Sequence, residues 1–88
     1  MDEPLEYIGV DPATDDRDSP TVWIDHDTDE IILQGYKASD ALRAKVHQSP
    51  APRHQSGIPE HEDVIRIPAR MVPILRKACD VAEGRLDG

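Results

Sequence analysis

The sequence predicts a small α+β domain ordered β-β-α-β-α: an antiparallel hairpin with helices packed on the sheet, preceded by an acidic flexible tail. Three observations carry this reading. Two β-rich runs, TVWID and IILQGY, flank the polar stretch HDTDE. Apolar residues recur at helical spacing between residues 71 and 82. Acidic charge is concentrated before residue 21.

Residues 1–20 hold seven acids (Asp2, Glu3, Glu6, Asp11, Asp15, Asp16, Asp18) and one base, Arg17, together with Pro4, Pro12 and Pro20. High net charge with low hydrophobicity is the composition of a disordered segment. An apolar island, Leu5, Tyr7, Ile8 and Val10, interrupts it. Two readings of that island stand side by side: a short extra strand docked on the domain, or a linear motif that orders on a partner. The expected division is a tail over 1–20 and one domain over 21–88.

The hairpin is the firmest local expectation. β-Branched and aromatic residues favour strands, and the polar run between them favours a turn. Both strands carry large apolar groups on both faces: Val22 and Ile24 against Trp23, and Ile31 and Leu33 against Ile32 and Tyr36. Such a hairpin needs cover on both sides. Helices of the chain itself supply one cover, and the other face is a candidate interface. Ser39 is suited to N-cap a short helix over 40–48, with Leu42 and Val46 one turn apart. Pro50 and Pro52 stop that helix. Residues 49–63, rich in Pro, Gly, Ser and charge, read as an exposed loop. Residues 64–67 read as a further strand. In the closing helix Met71, Ile74, Leu75, Ala78 and Ala82 mark an apolar stripe, widened by Val72 and Cys79. Pro73 suits its first turn and Gly84 its end.

Composition limits the function classes. The net charge is −8, from 18 acids against 10 bases, so the chain repels phosphate. Nucleic acid and anionic membrane are therefore not expected partners. No apolar run is long enough to span a bilayer, the N-terminus is acidic where a signal peptide is basic, and Cys79 is the single cysteine. These features point to a cytoplasmic protein. Only one Trp, two Tyr and no Phe are present, so the core lacks the residues that usually bury most area.

No catalytic, metal or cofactor site is expected. Asp25, Asp27 and Asp29 resemble the start of a calcium loop, but Glu30 stands where that loop needs Gly and Tyr36 where it needs a bidentate Glu. His26, His47, His54 and His61 lack the close pairing of zinc ligands. Cys79, between Leu75 and Ala82 on the helix, is expected to pack as a small hydrophobe. No phosphate loop, dinucleotide fingerprint, serine elbow or H-E-x-x-H motif is present. Surface is what remains. Trp23 packs under a helix or lies exposed; in the second case Trp23, Ile32 and Tyr36 form the candidate interface. Asp15, Asp16 and Asp18 would steer a basic partner toward it.

The stretches TVWIDHDTDEIILQGYK and VIRIPARMVPILRKACDVAEG, covering residues 21–84 loosely, resemble small acidic actinobacterial proteins that are often encoded beside helix-turn-helix regulators. The resemblance rests on composition and element order, and it carries over no functional residues. It implies a regulatory role, with a DNA-binding protein or a toxin as partner. The expected function is thus a non-catalytic protein-binding module for a basic partner such as a DNA-binding regulator. The alternatives are an antitoxin- or immunity-type inhibitor of a small toxin, and a structural homodimer.

Overall fold

The computed structural model describes residues 4–13 and 19–84, which form an α+β protein of two compact units. Of the described residues, one unit takes those up to 35 and from 67 onward; the other is 36–66.

The first unit is built on a three-stranded antiparallel sheet of β1 (Glu6–Val10), β2 (Thr21–Asp25) and β3 (Glu30–Gln34), in that spatial order. β2 and β3 form the expected hairpin. Its turn is closed by the Asp27 amide, which donates to Asp25 Oδ1 at 3.0 Å, and by Asp29 at a φ of 58°. Asp tolerates that left-handed conformation better than most side chains.

The apolar island in the first twenty residues is a strand, so the expected boundary at residue 21 moves. β1 pairs along β2, with Tyr7 opposite Trp23 and Val10 opposite Thr21. Ile8 is an extra residue in this ladder, a bulge that turns both Ile8 and Gly9 toward the core. Of the two readings of the island the docked strand is the one seen; composition alone leaves both open because its five residues are paired by contacts more than ten positions away. The rest of the expected tail, including Asp15, Asp16 and Asp18, lies outside the described residues.

A single 3-10 turn (Ala69–Met71) leads into a helix, Val72–Ala82, with Pro73 in its first turn. Gly84, at a φ of 77°, closes its end: the Glu83 amide donates to the Cys79 carbonyl and the Gly84 amide to that of Val81. This helix lies on one face of the sheet. Met71, Ala78 and Val81 meet Ile8, Val22 and Ile24 in the buried core, with Ile67, Ile74 and Leu75 packed at its margin. Cys79, expected in that core, is exposed. It sits about 100° around the helix from Ala78, beyond the arc the sheet covers.

A buried carboxylate locks the end of β1 to the 3-10 turn. Arg70 grips Asp11 with two hydrogen bonds of 2.7 Å, Nε to Oδ1 and an Nη to Oδ2. Asp11 Oδ1 also accepts the Ala13 amide, and the Asp11 amide donates to the Pro20 carbonyl. The Arg70 bonds hold the Asp11 carboxyl below its ordinary range, against the opposing pull of burial.

In the second unit β4 (Tyr36–Lys37) pairs antiparallel with β5 (Ile65–Arg66). The strand expected over 31–36 is therefore two strands, broken at Gly35, and the strand expected at 64–67 joins a sheet separate from the hairpin. Between them α1 (Asp40–His47) starts where expected: the Ser39 hydroxyl accepts the Leu42 amide at 3.1 Å. The closing helix, Val72–Ala82, is α2. None of α1's own residues is buried. Arg43 donates to Asp63 at 3.1 Å within the same unit. Among the described residues no helix is long and apolar enough to cross a membrane.

Candidate interaction face

Strand register sorts side chains between the two faces of the first unit's sheet. Val22 and Ile24 are buried under α2, so Trp23, between them, points to the opposite face. Its direct partners are Tyr7 on β1 and Ile32 on β3. Tyr7, Trp23 and Ile32 thus form one row straight across three strands, on the side that α2 leaves open. Trp23 and Ile32 are half-buried and Tyr7 is 58% exposed. Cross-strand aromatic and β-branched neighbours stabilise each other, which fixes the row in place.

One step toward the turn, Asp25 pairs with Glu30 on this same face. Like charges directly opposite each other destabilise a sheet. Asp25 Oδ1 accepts a backbone amide, which compensates part of that cost. Neither carboxylate has an ion pair among the described residues. One step the other way, Thr21 pairs with Gln34, whose amide donates to the Ser19 carbonyl at 2.9 Å. The face therefore runs from a neutral polar end, through an apolar centre, to an unneutralised acidic end.

Of the residues expected at an interface, Trp23 and Ile32 are brought together as register partners. Tyr36 belongs to the second unit, where it is exposed and pairs with Arg66. Gly35 ends β3, so Tyr36 pairs in the other sheet. Asp15, Asp16 and Asp18 lie outside the described residues. Tyr7, Asp25 and Glu30 are not among the residues expected there. A signal for Tyr7 does exist in the alternation of Leu5 and Tyr7 with Glu6, but the bulge at Ile8 ends it after three residues.

Elsewhere in this unit an open cleft of ≈ 180 Å³ lies between the hairpin turn and the end of α2, lined by Ile24, His26, Asp29, Val81, Ala82 and Gly84. It is smaller than the usual ligand pocket of roughly 300–1,000 Å³. His26 Nε2 lies 2.6 Å from Glu6 Oε1, so its ring ties the turn to the start of β1. Among the described residues no three His, Cys, Asp or Glu side chains gather as a metal site. Cys79, the one thiol, stands exposed on α2. No protein-family model, curated protein or solved structure matches this chain.

Proposed function

We propose that the chain is a non-catalytic regulatory module that docks a basic protein partner, such as a DNA-binding regulator, on the open face of its three-stranded sheet. The observation that carries this reading is the row of Tyr7, Trp23 and Ile32 beside the opposed acids Asp25 and Glu30. Trp and Tyr are among the residues most often found as binding anchors, and interfaces carry a polar rim around such a centre. Two carboxylates kept opposite each other cost stability in the free protein, and a Lys or Arg from a partner would relieve that cost. The net charge of −8 adds long-range attraction for a basic surface, and with it a steep dependence on salt.

The test uses the full chain, immobilised and exposed to an extract of its native cell. A basic protein should be retained, released by rising salt, and lost from the Tyr7→Ser and the Asp25→Asn/Glu30→Gln variants. These positions are exposed or at the sheet end, so the variants should still fold, as circular dichroism would verify. Retention of the same protein by both folded variants would sink the reading. Charge in the first twenty residues is better tested by Asp15→Asn/Asp16→Asn/Asp18→Asn than by deletion, because deletion would also remove β1.

A further inference from the structure

The two edges of the three-stranded sheet are β1 and β3, and they differ in protection. β1 carries the bulge at Ile8, with Pro4 before it and Pro12 after it. Bulges and prolines are devices that keep a strand edge from recruiting another strand. β3 has none of them. Its five residues, EIILQ, pair with β2 without a break, and they include no Pro, no Lys and one charge. On the α2 side of the sheet, Ile31 and Leu33 each remain 40% exposed, although their register partners Ile24 and Val22 are buried. The core thus ends in two large, partly exposed apolar side chains on an edge strand with neither bulge nor proline.

The sequence of β3 is complementary to itself when antiparallel. With a two-fold axis at Ile32, Glu30 faces Gln34 of the second copy, Ile31 faces Leu33 and Ile32 faces Ile32. Apolar residues meet on the α2 side, and on the open side each acid meets an amide. Registers two residues away leave part of the strand unpaired and set Ile32 against Glu30 or Gln34. Sliding four residues toward the turn puts Glu30 against Glu30. A one-residue slip would turn the apolar pair to the wrong face. Only the register centred on Ile32 pairs all five residues.

We propose that the chain forms a two-fold symmetric dimer by pairing β3 with β3 of a second copy in this register. The result is one six-stranded sheet with an α2 helix on either side of the seam. On its open face the row of Tyr7, Trp23 and Ile32 continues without a gap into Ile32, Trp23 and Tyr7 of the second copy. Six strands at about 4.8 Å make that row roughly 24 Å long. The dimer stands whether or not the open face binds a basic partner. If it does, the partner that fits is itself two-fold symmetric.

Sedimentation of the full chain from micromolar to millimolar concentration should show a monomer–dimer equilibrium. Ile31→Lys/Leu33→Lys should raise the dissociation constant at least about tenfold, with far-ultraviolet circular dichroism and Trp23 fluorescence unchanged. Should that variant fail to fold, cross-linking reads the same register in a Cys79→Ser background. Ile32→Cys should form a disulfide dimer alone, and Ile31→Cys mixed with Leu33→Cys should give the mixed dimer in preference to either pure one. A wild-type monomer at millimolar concentration overturns the proposal. So does an unchanged dissociation constant in a folded Ile31→Lys/Leu33→Lys variant, or a dimer whose cross-links ignore the register.

Discussion

Gly9 offers the sharpest test of how the sheet meets its helix. A Cβ placed on Gly9 would lie 2.8 Å from Ile74 Cγ2, 3.1 Å from Cγ1 and 3.2 Å from Cδ1. The closest of these is nearer than real Cβ atoms approach, so in Gly9→Ala either Ile74 moves or the strand does. Overpacking of this kind costs about 1–3 kcal/mol. Removing a glycine from the unfolded chain offsets about 0.4–1 kcal/mol of it. Every clashing atom belongs to one half-buried side chain that can yield in part, which favours a net loss of about 1–2 kcal/mol. With a urea slope of about 1 kcal/mol per molar for a chain this small, the midpoint should fall by roughly 1–2 M. Trp23, the only tryptophan, sits on β2 in the same sheet and reports that unit's unfolding by fluorescence. The decisive variant is the double one. Ile74→Ala removes the atoms that clash, so adding Gly9→Ala in that background should be neutral or stabilising. The coupling between the two sites should then be about 1–3 kcal/mol. An equal loss from Gly9→Ala in both backgrounds would refute the argument and place the cost in the bulge backbone.

Other expectations follow from single contacts. Met71 is fully buried at the centre of the core, so Met71→Ala should cost about 2–5 kcal/mol in urea unfolding followed by Trp23. Ser39→Ala removes the cap on the Leu42 amide and should destabilise α1 by about 0.5–2 kcal/mol, read as faster amide exchange in residues 40–47. Asp11 titrates below its ordinary 3.8 because Arg70 is hydrogen-bonded to it. The unfolded chain therefore binds this proton more readily than the native one. The stabilisation is complete above the ordinary value and is lost as pH falls through the lower native one. Urea midpoints of Asp11→Asn, measured from neutral pH to strong acid, should lack this acid-side loss, and an unchanged pH dependence would contradict it.

What can be read in the sequence is local. The hairpin follows from two β-rich runs and an Asp-rich turn, the start of α1 from a serine three residues before the amide it caps, and the end of α2 from a glycine with positive φ. In each case the deciding interaction lies within a few residues. The features that the sequence leaves open or misses are set by partners far away in the chain. For β1 the sequence leaves a docked strand and a linear motif side by side, and the ladder made with β2 across the Pro-bounded segment decides for the strand. The run IILQGY reads as one strand, yet Gly35 lets it divide between two sheets. Cys79 follows the helical period as well as Ala78 does, and only the position of the sheet decides which of the two is covered.

Geometry also explains why a two-sided hairpin leaves apolar surface open on both sides. Alternation assigns residues to faces, but it does not say how much of a face a helix covers. An α-helix with its side chains is about 10–12 Å across. Three strands about 4.8 Å apart, with half a spacing beyond each edge, occupy roughly 14 Å. One helix cannot cover that width. α2 is anchored over β1 and β2, by the core around Ile8, Val22 and Ile24 and by Arg70 on Asp11 at the end of β1. The shortfall therefore lands on β3, where Ile31 and Leu33 stay at the rim. The opposite face, with Trp23 and Ile32, has no helix seated on it within this unit. Both exposures converge on one strand of five residues. A change in β3 that alters the α2-side pair, Ile31 and Leu33, acts on the proposed dimer, and one at Glu30 or Ile32 acts on both proposed surfaces. That overlap gives a way to separate the two: Ile31→Lys/Leu33→Lys should weaken self-association at least about tenfold while leaving capture of a basic protein by the monomer intact.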